Sequence, residues 1–402
     1  MPDISVDRRY LEAILTDLVR INSVNPSVSA GGRGEAEIAS HVESALAALG
    51  LAAAAHEHEP GRVSAVGVLG GTGGGRSLML NAHCDTVGVD GMREPFSASI
   101  RDGKLYGRGA YDMKGSLAAQ LAAVKALRDA RASLAGDLIV AAAADEESRS
   151  IGTSDLISRY PVDGAIVTEP TEFDLCLAHK GFIWFEVVTE GLAAHGSRYD
   201  QGIDANMRMG RFLHGLEVLE RKLRRREGHA LVGPPSLHAP VIKGGAELST
   251  YSSRCALNVE RRTVPGETEE SAASELQSIV DELTAADPSF RASVKVLFAR
   301  RPFEALPGTA LADALVSSSR KVLGRAPEVV GRPWWTDAAL IAATGAETAV
   351  VGPSGGGPHA EVEWVDLDSL VDFAYILAYT ALEYCGPHEP HRNHEGKRSV
   401  GG

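Results

Sequence analysis

Several predicted strands of this 402-residue chain run into a histidine or an acid at their downstream ends. RSLMLNA leads into His83 and Asp85, LIVAAAAD into Glu146 and Glu147, and GAIVT into Glu169. Two further segments add Asp112 in YGRGAYDMKG and His359 in GPSGGGPHAE. In an open α/β sheet the downstream strand ends border the ligand crevice, so residues far apart in sequence converge there. Two histidines and several carboxylates at one crevice suggest a metal site. The same pattern narrows the fold to strands alternating with covering helices.

The apolar periodicity between those ends agrees. Leu11, Ile14, Leu15 and Leu18 recur at helical spacing from Asp7 to Val19, and Asn25-Pro26 ends that helix. A second helix is predicted over 34–49. Strands over 63–69 and 77–82 flank the glycine run GGTGGG, Gly70 to Gly75. No helix with a phosphate-binding lysine follows that run, so it reads as a flexible hairpin turn. A helix over 115–130, a strand over 137–143, a short helix over 154–159 and a strand over 163–168 continue the alternation of a mixed or parallel sheet.

After Lys180-Gly181 the order changes. The strand GFIWFEVVTEG is followed by a long helix over 203–223, strands over 238–243 and 254–261, a helix over 267–286 and a strand over 291–297. This is the order of a small α+β sandwich inserted into a larger domain. Helix–strand alternation resumes from Pro302, with helices over 311–323 and 367–382 and a strand over 348–351. The expected architecture is therefore a discontinuous, mixed-sheet α/β domain over 1–179 and 300–386. It carries an inserted α+β domain over 180–299, and the polar tail over 387–402 is expected to be disordered.

Composition excludes several classes. Lys plus Arg number 40 against 53 Asp plus Glu, a net charge of -13 that argues against nucleic-acid binding and for small-molecule partners. Cys84, Cys176, Cys255 and Cys385 are widely spaced, without a CxxC pair, as in a reduced cytoplasmic protein. The N-terminus bears charges where a signal peptide needs an apolar run. No apolar stretch reaches the ~18 residues of a membrane span.

Taken singly, each candidate ligand has an ordinary explanation. HxD commonly lies in a surface loop, the glycines around Asp112 suit a structural turn, and a loop histidine such as His359 is usually just solvated. In His83-Cys84-Asp85 the strand period puts His83 and Asp85 on one face and Cys84 on the other. That suits a histidine ligand oriented by a carboxylate. Glu146 and Glu147 repel one another at the end of an apolar strand, and cations would hold them there. Coincidence at all of these places is hard to sustain, and together they favour a metal site.

HCDTV, GRGAYDMKG, ADEE, VTEPT, AAHGSRYDQGIDAN and GGGPHA stand in the order and at the intervals of one family. On these motifs the chain resembles the M20 metallopeptidases, which include acetylornithine deacetylases, desuccinylases, aminoacylases and glutamate carboxypeptidases. The resemblance implies two divalent metal ions, zinc first, with cobalt or manganese as alternatives. Asp112 would bridge them, with His83 and Glu169 completing one ligand set and Glu147 and His359 the other. Asp85 would orient His83, Glu146 would be the general base, and the peptide from Asp112 to Met113 would be cis. The inserted domain would be a lid, hinged near Lys180 and residues 299–302, and in dimeric members the surface of a homodimer. His195 would reach the oxyanion, in dimers from the partner subunit.

Arg262 would bind a substrate carboxylate, with Arg261 facing the other side of its strand. Gly356 belongs to a loop whose bare backbone suits close approach of a substrate. Ser249 and Ser252 stand where the family usually has asparagine and proline, so the lid contacts depart from the common pattern. Trp334-Trp335 suits a pocket wall or core packing, and RKLRRR a solvated helix end. The implied activity is hydrolysis of the amide of an N-acyl amino acid. A dipeptidase or carboxypeptidase of the same family is the alternative, and a non-catalytic binding protein with the same fold is a further one.

Overall fold

The apolar runs Leu78–His83, Leu138–Ala143 and Gly164–Val167 become neighbouring strands buried along their whole length. They pair in parallel, with Leu78 opposite both Leu138 and Gly164. Continuous apolar content, rather than alternation, is what a parallel sheet covered on both faces requires. The shared register brings their downstream ends side by side, His83 opposite Ala143 and Asn81 opposite Val167.

The computed structural model describes residues 2–305 and 308–387, so the tail lies, from 388 on, outside the described residues. The described chain divides into two units. The first comprises the chain up to Phe173, Ala310–Ala326 and the segment from Gly352 on, and the second comprises Asp174–Thr309 and Pro327–Val351.

In the first unit the sheet order is Ala52–Glu59, Arg62–Leu69, Leu138–Ala143, Leu78–His83, Gly164–Val167. The first two pairings are antiparallel and the last two parallel. Helix Ala36–Ala48 packs on one face, its Leu46 filling the space left by Gly67, and helix Ile151–Arg159 packs on the other, with Gly152 against Ser64. Helices Arg8–Arg20, Gly115–Asp129 and Leu367–Tyr384 pack against one another.

The glycine run is not a hairpin turn, because strand Leu138–Ala143 lies between the two strands it joins. Those two strands run antiparallel but are not neighbours, so the run has to pass the end of the strand between them. The run crosses the chain that enters the intervening strand: Thr72 N donates to Leu134 O and Gly73 N to Ala135 O. A Cβ on Gly71 or Gly75 would come within 2.5 Å of the Ala135–Gly136 backbone, which explains the glycines by close approach. The edge strand Ala52–Glu59 is a second departure, since AAAAHEHE carries no apolar alternation of its own.

The second unit contains a four-stranded antiparallel sheet, ordered Ser236–Gly244, Arg254–Thr263, Gly181–Glu190, Ala292–Arg300. Helices Ala205–Arg224 and Glu269–Ala286 cover one face, with Phe185, Phe212, Leu257, Leu276 and Phe290 at the core. Asp204 caps the first helix and Thr268 the second. The same unit holds strand Leu175–His179 with its partners Phe303–Glu304, Val329–Arg332 and Val350.

Candidate metal centre

The parallel register places three acid-bearing turns in a row, after His83, Ala143 and Val167. Their side chains meet Asp112, which enters on the turn before helix Gly115–Asp129, and His359, from the loop after the short strand Gly355–Gly356. His83 Nε2 lies 3.0 Å from Asp112 Oδ1 and 3.7 Å from Glu169 Oε1. His359 Nε2 lies 3.3 Å from Asp112 Oδ2 and 3.1 Å from Glu147 Oε1. Asp112 thus turns one carboxylate oxygen to each histidine. Its peptide to Met113 is cis.

Two donor groups have ligand atoms all within 4.8 Å of one another: His83, Asp112 and Glu147, and His83, Glu146 and Glu169. Imidazole nitrogens with carboxylate oxygens suit a zinc-like divalent cation. His83 Nδ1 donates to the main-chain oxygen of Asp85 at 3.0 Å, with the Asp85 carboxylate 3.6 Å away. That fixes the proton on Nδ1 and points Nε2 at the acids.

Electrostatics make the same point. Burial disfavours a charged His83, but Glu169, Asp112 and Glu146 outweigh it and hold the imidazole pKa well above its ordinary value. Hydrogen bonds to Asp112 and Glu147 push His359 up to about 10. Burial opposes ionisation of Asp112, yet His359 and His83 hold it below the usual carboxylate range. Glu147 is raised, chiefly by burial. A divalent cation bound among these groups would stand in for protons on the two imidazoles.

Several residues that build the centre escaped the sequence reading. Buried Glu363 accepts from Gly109 N (3.0 Å), Tyr111 N (2.9 Å), Asp112 N (3.0 Å) and Arg108 Nη1 (2.6 Å). One carboxylate thereby holds the turn that presents Asp112. The only sequence signal was an acid between valine and tryptophan in EVEWVD. Glu363→Gln should leave backbone donors badly partnered, at roughly 1–3 kcal/mol. Urea unfolding of the two proteins is expected to show that loss. Gly356 has its own packing reason, since a Cβ there would sit 2.9 Å from the Trp364 indole.

Three comparisons bear on this geometry. The model of Peptidase family M20/M25/M40 matches residues 79–383. The chain belongs to this family. An acetylornithine deacetylase of Myxococcus xanthus is 31% identical, over 94% of this chain and 98% of its own. Among solved structures, the M20-like fold recurs in aminopeptidase PepT of Bacillus cereus. There the TM-score is 0.78 at 18% identity, covering 94% of this chain and 99% of that one. A Bacillus subtilis M20 protein described as a dinuclear metal-binding peptidase matches with a TM-score of 0.71 at 14% identity, over 93% and 97%.

The residues that the M20 resemblance assigns to the lid lie in the second unit. His195 is exposed and bridges to Thr250. Its Nδ1 accepts from Ser197 N at 3.2 Å, so in the neutral ring the proton sits on Nε2. Ser249 is exposed, and its main-chain oxygen accepts from Gly196 N at 2.7 Å. Ser252 is buried, and its hydroxyl donates to Arg254 O at 2.9 Å. Arg261 is buried and paired with Glu267 and Glu275. Strand alternation turns Arg262 to the opposite face, where its Nε donates to Glu260 at 2.7 Å and the guanidinium lies over Phe182.

Trp335 packs edge-on to His179 and Phe182 and donates to Arg301 O at 3.0 Å. In the basic helix end, Arg221, Arg224 and Arg226 pair with Glu217, Glu220 and Glu275.

Proposed function

We infer that this protein is a dinuclear metal-dependent hydrolase that cleaves the amide bond of an N-acyl amino acid, in the manner of an acetylornithine deacetylase. The observation that carries the reading is Asp112, whose two oxygens face His83 and His359 respectively. A carboxylate so placed could hold a cation on each side, with Glu169 beside the first histidine and Glu147 beside the second. The family membership and the Myxococcus xanthus relative support the reaction class.

When bound, the two cations supply Lewis acidity to the scissile carbonyl and to water. The chain supplies the rest. Glu146 accepts the proton of the attacking water and delivers it to the leaving nitrogen. Asp85 keeps His83 in its ligating tautomer. Residues 180–299 act as the lid, from which His195 donates Nε2–H to the developing oxyanion and Arg262 takes the substrate carboxylate. Ser249 and Gly356 line the substrate's path.

A homodimer through the lid is part of this proposal. Strand Ser236–Gly244 is a sheet edge, and edges invite pairing. Ile242 is 54% exposed, and Met207, on the helix that begins beside Gly244, is 72% exposed. No helix among the described residues is long and apolar enough to cross a membrane, and we place the enzyme in the cytoplasm.

The test is metal content by elemental analysis together with a panel of N-acyl amino acids and dipeptides. Two zinc-class ions per chain and preferential cleavage of the acyl amino acids are expected. Preference for dipeptides would make it a peptidase of the same family, and absence of any hydrolysis by the metal-loaded protein would leave a binding protein.

A further inference from the structure

Asp85 does more than face His83. Its Oδ1 accepts from Glu146 N at 3.1 Å and its Oδ2 from Glu147 N at 3.2 Å. Through its main-chain oxygen and its carboxylate, Asp85 therefore sets the histidine and the turn that presents the two glutamates. A group that fixes the rotation of the Asp85 side chain fixes the Glu146–Glu147 turn and keeps the carboxylate beside His83.

That group is Asn25, fully buried in the segment after the first helix. Its Nδ2 donates to Asp85 Oδ2 at 2.7 Å and to Asp145 Oδ1 at 3.0 Å. The amide cannot turn over without loss, because its Oδ1 accepts from Ser27 N at 2.8 Å. The backbone is pinned too, with Asn25 N donating to Thr86 O at 2.8 Å. On the far side, Arg62 Nη2 donates to Asp145 Oδ1 at 2.7 Å, while Nη2 and Nε grip Glu35 at 2.6 and 2.7 Å. Glu35, Arg62, Asp145 and Asp85 are all buried. A neutral amide with two donors is the group that can lie between two buried carboxylates and satisfy both.

We propose that Asn25, backed by Asp145 and Arg62, is the positioning residue of the metal centre, holding the Asp85 carboxylate beside His83 and in the rotation that aims the Glu146–Glu147 turn at the cations. This rests on the metal-centre reading above. Outer partners of metal ligands typically govern affinity by about 10- to 100-fold.

The test measures zinc affinity by chelator competition for the wild type, Asn25→Ala, Asp85→Asn and the double variant. Each single variant is expected to bind zinc at least ~10-fold more weakly. Because Asn25 acts through Asp85, the double variant should bind no more weakly than Asp85→Asn alone. Losses that multiply in the double variant would mean that Asn25 acts elsewhere in the fold, and would overturn the proposal. Unchanged affinity in Asn25→Ala would overturn it as well. Should Asn25→Ala fail to fold, Asn25→Ser, which keeps one O–H donor, takes its place with the same two outcomes. A wild type that binds no zinc sinks the metal-centre reading itself, a different result from any of these.

Discussion

Glu146→Gln is expected to cut turnover by ~10²–10⁴-fold while both metals stay bound. Glutamine fills the same volume, and the main-chain N–H of residue 146 still donates to Asp85. What is lost is the capacity to take a proton. A loss of that size corresponds to about 2.7–5.5 kcal/mol of transition-state stabilisation. Metal content is the decisive companion measurement, because Glu146 stands within ligand distance of His83 and Glu169. A variant that loses a metal together with its activity would make Glu146 a ligand and end its assignment as a base held apart from the cations. Glu147→Gln is the control, for there a weakened metal complement is the expected result.

His195→Ala should lower kcat by roughly 10²–10³-fold with the metals unaffected, the usual cost of removing one donor to an oxyanion. The side chain is exposed and hydrogen-bonds to nearby Ser197, so truncation should cost the fold little. If the donor comes from a partner subunit, mixing inactive His195→Ala and inactive Glu146→Ala protomers restores part of the activity, because one hybrid site receives both intact groups. Native mass spectrometry establishes whether heterodimers formed. Heterodimers without recovered activity would confine His195 to its own subunit.

The acids and histidines that stand near one another were legible because strand ends leave a mark in sequence: an apolar run stops and a charge follows. His83, Glu146, Glu147 and Glu169 each carry that mark. Arg261 and Arg262 were separable for a similar reason, since strand alternation sends neighbours to opposite faces. Asn25 and Glu363 carry no such mark. They act through hydrogen bonds to turns and to other carboxylates, and such bonds have no period. The glycine run misled because a crossing of two backbones and a tight hairpin ask for the same residue. Only the pairing of a distant strand, Leu138–Ala143, separates the two.

The centre is assembled from both ends of the chain, and this has a consequence during synthesis. Asp112, Glu147 and Glu169 leave the ribosome before the whole second unit, whereas His359 and Glu363 leave after it. At the usual ~5–20 residues per second, on the order of 10–40 s separates Glu169 from His359. Through that interval Asp112 lacks both the histidine that faces its Oδ2 and the carboxylate that holds its turn. The nascent chain can therefore make all of its second unit before the segment that carries His359 and Glu363 exists, and the donors around Asp112 come together only once that segment has been made.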